Sequence, residues 1–154
     1  MDPLYELALA VKAIDRELQR RINDAMASLG VTAAQADALV VIGQSGRISL
    51  KELGDLLIAE GGHPSRLVDR LVEAGLVERR AAEEDRRRVE LSLTPAGRRV
   101  VKRIADSREQ LTELGRQLIP QRDLNAALKA LRRMLEYTPH AELVARRKSL
   151  EGPS

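Results

Sequence analysis

The chain has 154 residues, 44% of them apolar, and a formal net charge of +3, which suits one domain with its own core. Phe and Trp are absent and only Tyr5 and Tyr137 are aromatic, so the core must be aliphatic and base stacking on aromatic platforms, as in single-strand and RNA-sheet readers, is disfavoured. The absence of cysteine excludes disulfides, thiol redox sensing and cysteine-ligated zinc.

The N-terminal third predicts a long helix, because Leu4, Leu7, Val11, Ile14, Leu18, Ile22, Ala25 and Leu29 recur at three- and four-residue steps. Pro3 stands at its start and Gly30 just past its end, where each is favoured. One apolar stripe of that length exceeds what a small lobe covers, so part of it is expected to meet a second subunit. Thr32-Ala33-Ala34-Gln35 has the form of a capping box opening a second helix with Ala36, Leu39, Val40 and Ile42, which stops between Gly43 and Gly46. Ile48 suits a residue of edge strand. Ser49-Leu50-Lys51-Glu52 is a second capping box, and Leu50, Leu53, Leu56 and Leu57 form the buried face of the short helix it opens.

A turn follows at Ala59-Glu60-Gly61-Gly62-His63-Pro64-Ser65. Proline lacks an amide hydrogen and fits a first helical turn, so the next helix should start between Gly62 and Pro64. Leu67, Val68, Leu71 and Val72 form its inward face; Ser65, Arg66, Asp69, Arg70 and Glu73 face outward; Gly75 stops it. Leu76-Val77-Glu78-Arg79-Arg80 reads as a strand, Glu83-Glu84-Asp85-Arg86-Arg87-Arg88 as a hairpin tip, and Val89-Glu90-Leu91-Ser92-Leu93-Thr94 as the returning strand. Thr94 then caps a long helix with Pro95 at its first position, running to Ile119 before Pro120. A last helix carries Leu124, Ala127, Leu128, Leu131 and Leu135, and the charged tail after Pro139 is expected to fray.

Helix, turn, helix, strand, basic hairpin and strand in that order make a winged helix-turn-helix, with the second helix of the pair as the groove reader and the hairpin as a basic wing. The modest net charge is unevenly spread: basic residues gather at Arg79-Arg80, at Arg86-Arg87-Arg88, and at Arg98-Arg99 with Lys102-Arg103. The predicted DNA contacts are His63, Ser65, Arg66 and Arg70 on the helix, and Arg86, Arg87 and Arg88 on the wing. Arg70 has an alternative in pairing with Glu73 or Asp69, and an exposed turn histidine such as His63 has the alternative of touching nothing. Asp85 would repel phosphate if unpaired, so an ion pair with Arg87 is its expected role.

Over roughly Val31 to Arg103 the chain resembles the MarR family of bacterial transcriptional regulators. The resemblance rests on Arg66-Leu67-Val68-Asp69-Arg70-Leu71, Gly75-Leu76-Val77-Glu78-Arg79, Asp85-Arg86-Arg87 and Leu93-Thr94-Pro95-Ala96-Gly97 standing in register. It implies a mostly α fold with a small β wing, in which a winged helix-turn-helix lobe hangs from a helical dimerisation layer. It also implies an obligate homodimer on a pseudo-palindromic operator, acting as a repressor, with Asp85 and Arg87 stabilising the wing. Family members often release DNA when a small aromatic or anionic molecule enters the cleft between layer and lobe.

On that pattern residues 1–30 and 95–138 form the dimerisation region, 31–94 the DNA-binding region and 139–154 a tail, all in one intertwined unit. Leu4, Leu7, Val11, Leu114, Leu118, Leu128, Leu131 and Leu135 are the expected dimer contacts. A cleft with almost no aromatic ring should be lined by aliphatic side chains with an arginine from the first or fifth helix, which suits an organic acid as effector; the alternative is a packed, closed cleft in a protein that regulates only through its own abundance. One departure is Gly61-Gly62-His63-Pro64-Ser65, which stands where relatives carry a polar run such as Ser-Thr-Val-Thr. Fewer side chains there can bond base edges, so the alternative is a winged-helix architectural or protein-interaction module with weak sequence specificity.

No enzyme is expected: there is no histidine placed for a triad, no phosphate-binding glycine loop and no paired carboxylates in a cleft-forming context. No cofactor or metal site is expected either, since only His63 and His140 accompany scattered carboxylates. The chain lacks a signal-peptide pattern and any apolar run near the roughly 20 residues of a membrane span, so a cytoplasmic location is expected.

Overall fold

The computed structural model describes residues 1–58, 63–82 and 89–151. Its elements in order are α1 (Pro3–Ala27), α2 (Ala33–Ser45), β1 (Ile48–Ser49), α3 (Leu50–Leu56), α4 (Pro64–Glu73), β2 (Val77–Ala81), β3 (Val89–Leu93), α5 (Pro95–Leu118), α6 (Gln121–Leu135) and α7 (Ala141–Leu150).

Short-range bonds set most of the boundaries. Asp2 caps α1, accepting from the amide of Leu4 at 2.8 Å. Thr32 Oγ1 accepts from the Gln35 amide at 3.2 Å while Gln35 Oε1 accepts from the Thr32 amide at 2.9 Å, completing the expected capping box of α2. Ser49 and Glu52 repeat the exchange at α3. Each box satisfies amides that a helix start otherwise leaves unbonded. Thr94 caps α5 through the Gly97 amide at 3.0 Å and donates its hydroxyl hydrogen to the Gly75 carbonyl at 2.7 Å, tying the base of the wing to the end of α4. Gly75 has φ +68°, a left-handed conformation that costs glycine no Cβ clash, so the chain can reverse from α4 into β2.

The strands form an antiparallel sheet in the order β1-β3-β2, with Val77 opposite Leu93 and Ile48 opposite Leu91. α2 is the centre of the lobe, packing on α1, α3, α4, α5, α7 and β3. Its Leu39, Val41 and Ile42 are fully enclosed with Leu53 of α3, Val68 and Leu71 of α4, Val77 of β2, Leu91 of β3 and Ile104 of α5. The core is aliphatic, as the composition demands, and both tyrosines lie outside it. The lower end of α1 enters this core through Met26, with Ile22, Ala25 and Leu29 packed against it.

The rest of α1 is different. Residues 1–21 are all exposed, and one face carries Glu17 bonded to Arg20 and Arg21, whose guanidinium groups hold its carboxyl down at about 2. The apolar side chains Leu4, Leu7, Val11, Ile14 and Leu18 of the same helix meet no core. α6 likewise buries no residue although Leu124, Leu128, Leu131 and Leu135 share a face at helical spacing.

The tail corrects an expectation. Residues 141–150 do not fray but form α7, which packs on α2 and α3. Leu150 reaches the core, and Arg147 bonds Asp37, a partner 110 positions away whose presence no local reading could supply. Among the described residues no helix is long and apolar enough to cross a membrane.

Candidate nucleic-acid interface

α3 and α4 pack on one another and on α2, forming the helix-turn-helix. Pro64 occupies the first turn of α4 and His63 its N-cap position, as its missing amide hydrogen requires. His63 makes no side-chain capping bond and is exposed. Val68 and Leu71 are buried and Leu67 and Val72 half-buried, so the expected inward face is the one the structure uses. Rotation about the helix then leaves Ser65, Arg66, Asp69, Arg70 and Glu73 exposed on the other side.

Electrostatics divides that outward face. Asp69 pairs with Arg79 of β2 at 2.6 Å, rather than with Arg70, the partner weighed from sequence. The bridge fastens the groove-reading candidate α4 to the base of the wing. Among the described residues neither Arg66 nor Arg70 has a carboxylate partner, so both keep five donors for an outside acceptor. Arg80 is also engaged, with Glu78 at 2.9 Å, and Glu78 accepts in addition from Ser92 across the strands. Arg98 donates to the Leu93 carbonyl at 2.8 Å. Three arginines of the basic clusters noted in the sequence therefore serve the wing base, which only the fold reveals. Asp85, Arg86, Arg87 and Arg88 lie outside the described residues, as do Gly61 and Gly62 of the turn.

The expected dimer residues lie on free surface of the single chain: Leu4, Leu7, Val11, Leu114, Leu118, Leu128 and Leu131 are exposed, and Leu135 is half-buried. Between α1, α2 and α5 runs a cleft of about 760 Å³. Leu18, Ile22, Met26, Ile104 and Leu111 make its apolar wall, and Asp37 of α2 and Arg108 of α5 supply charge. Arg108 lies 3.8 Å from Asp37, which Arg147 already holds at 2.7 Å, so two guanidinium groups share one carboxylate there. Among the described residues no group of His, Asp and Glu is placed to hold a metal ion.

Comparison with known proteins agrees with this geometry. Residues 31–97 match the winged helix DNA-binding domain family. The organic hydroperoxide resistance transcriptional regulator of Bacillus subtilis is 27% identical over 131 residues, 85% of this chain and 88% of that protein. The multiple antibiotic resistance protein MarR of Escherichia coli is 32% identical over 94 residues, 61% of this chain and 65% of that protein. In three dimensions, a mutant MarR from E. coli complexed with operator DNA superposes with TM-score 0.73 at 26% identity, covering 86% of this chain and 95% of that one. A MarR family transcription regulator superposes with TM-score 0.81 over 94% of both chains at 24% identity, a likeness of fold. Residues 31–97 thus carry a winged helix DNA-binding domain, and in sequence and fold the chain is similar to MarR-family transcriptional regulators.

Proposed function

We propose that the protein represses transcription as a homodimer on a pseudo-palindromic duplex, each α4 lying in a major groove and each wing reaching the neighbouring minor groove. The observation that carries this reading is the outward face of α4. Ser65, Arg66 and Arg70 stand exposed without an acidic partner among the described residues, while the one acid between them, Asp69, is neutralised by Arg79. A helix that buries its apolar stripe and presents free arginines suits bidentate bonding to guanine edges and phosphates. In this reading His63 and Ser65 flank the entry to the groove, Arg86, Arg87 and Arg88 supply the wing contacts, and Asp85 steadies Arg87. Residues 1–30 and 95–138 then form the dimer layer above residues 31–94, which accounts for the uncovered leucines of α1 and α6.

The cleft is the proposed effector site. Its volume lies within the usual range for small-molecule pockets, and an aliphatic wall beside Arg108 suits an amphipathic organic acid. A ligand releases DNA only by preferring the arrangement with misplaced recognition helices, and tenfold weakening needs about 1.4 kcal/mol of that preference. The B. subtilis relative is named for organic hydroperoxide resistance, but this chain has no cysteine, so thiol oxidation is not open to it.

The test is affinity for a duplex selected by the protein from a randomised pool against a random duplex of equal length, at two salt concentrations. A specific regulator binds the selected duplex at least about a thousandfold more tightly, whereas equal affinities with the same salt slope would leave only an architectural binder. A thermal-shift screen of aromatic and aliphatic acids then tests the cleft, and stabilisation without loss of DNA affinity would rule out release.

A further inference from the structure

α7 lies far beyond residues 31–94 of the DNA-binding lobe, yet it grips that lobe at one particular place. Arg147 donates to both carboxylate oxygens of Asp37 on α2, at 3.0 and 2.7 Å, and also to the carbonyl of Leu56 at 3.1 Å. Leu56 is the last residue of α3, so its carbonyl belongs to the final turn that a helix leaves without an internal partner. A cation there also meets the negative end of the helix dipole. The Arg147 side chain is 16% exposed and that of Asp37 25%, so this pair is drier than the ion pairs of α1 and of the wing base, and its fork geometry is bidentate.

The chain leaves Leu56 to begin the connection to α4, so the clamp sits where the supporting helix hands over to the groove reader. At its other end α7 follows α6 after only the five residues 136–140, a turn fastened by Thr138, which donates to the Leu135 carbonyl and accepts from the His140 amide. α6 buries nothing in its own chain. α7 thus runs from the helix assigned to the dimer layer to the end of α3.

We infer that α7 is a strap between the dimer layer and the helix-turn-helix, and that Arg147 is a positioning residue for sequence-specific DNA binding. It acts through Asp37 and the Leu56 carbonyl, which together set where α3 ends and hence how α4 is presented. Two subunits must place their α4 helices at a fixed spacing to read two half-sites. A lobe released from its strap still meets phosphate, because its cationic surface is unchanged, but it no longer holds that spacing. The inference rests on α4 being the groove reader.

The experiment uses full-length Arg147→Ala, Arg147→Lys, Asp37→Asn and the double variant Asp37→Asn with Arg147→Ala, measured against the pool-selected duplex and a random duplex. Arg147→Ala is expected to weaken the selected duplex about tenfold and the random duplex less than about twofold. Arg147→Lys keeps the charge without the fork and should fall between; it carries the test if the alanine variant does not fold. The double variant should lose less than the sum of the two single losses, since both changes break one clamp, although Asp37→Asn also removes the Arg108 contact. Hydrogen exchange of the α3 amides, read without DNA, should quicken in Arg147→Ala while those of α5 hold. Equal weakening of both duplexes, additive losses, or unaltered α3 exchange would overturn the strap while leaving DNA recognition intact. A wild-type protein that selects no duplex from the pool would instead overturn the functional reading, and the role of Arg147 in it.

Discussion

Replacing Leu128 and Leu131 of α6 with alanine should split the dimer without unfolding the lobe. Both side chains point away from the core and keep 39% and 38% of their surface accessible in the single chain. Fully burying a leucine contributes about 1.5–3 kcal/mol, so covering that remaining two-fifths contributes about 0.6–1.2 kcal/mol per side chain. A two-fold dimer has four such side chains, and alanine retains the first carbon of each, which gives a loss of about 2–4 kcal/mol in association. The dimer dissociation constant should rise by a factor between about thirty and several hundred. Alanine is the best helix former, so α6 itself gains rather than loses local propensity. Sedimentation equilibrium from nanomolar to micromolar concentration reads the dissociation constant, and far-ultraviolet circular dichroism at high concentration checks the helices. A dissociation constant within threefold of the wild type would show that α6 does not face a second copy. A variant that unfolds while still dimeric would show that these leucines belong to the single-chain core after all.

The DNA-facing residues give two further expectations. Arg66→Ala should cost about 1–3 kcal/mol on the selected duplex and much less on random DNA; equal losses in a titration of both would reduce Arg66 to a phosphate contact. Arg86→Ala together with Arg88→Ala should weaken both duplexes alike and lower the salt slope by roughly one unit per lost phosphate contact, and an unchanged slope would exclude phosphate bonding by either. A structural expectation concerns Gly97, where an added methyl would collide with the Leu76 carbonyl, the same oxygen that accepts from the Thr94 amide at 3.1 Å. Gly97→Ala should therefore push α5 from the wing base and cost about 1–3 kcal/mol, seen as a fall in Tm of about 2–4 °C per kcal/mol, and an unaltered Tm would mean the contact yields freely.

What could be read from the sequence was whatever depends on neighbours three or four positions apart. The capping boxes at Thr32 and Ser49, the Thr94-Pro95 start of α5 and the glycine at 75 are such features, because a cap or a turn is closed by residues a few bonds away. The inward and outward faces of α4 were legible for the same reason, since helical periodicity alone assigns them. Tertiary structure decided everything that depends on which distant surfaces meet. Asp69 adjoins Arg70 in the chain, yet it bonds Arg79 because β2 returns beside α4. The charged segment after Pro139 looks solvated by composition, but Arg147 finds Asp37 and the unbonded Leu56 carbonyl, and these long-range partners turn an expected frayed end into α7. The exposed stripes of α1 and α6 are apolar in the sequence and uncovered in the single chain, because the core of one lobe is already filled by α2 and its neighbours.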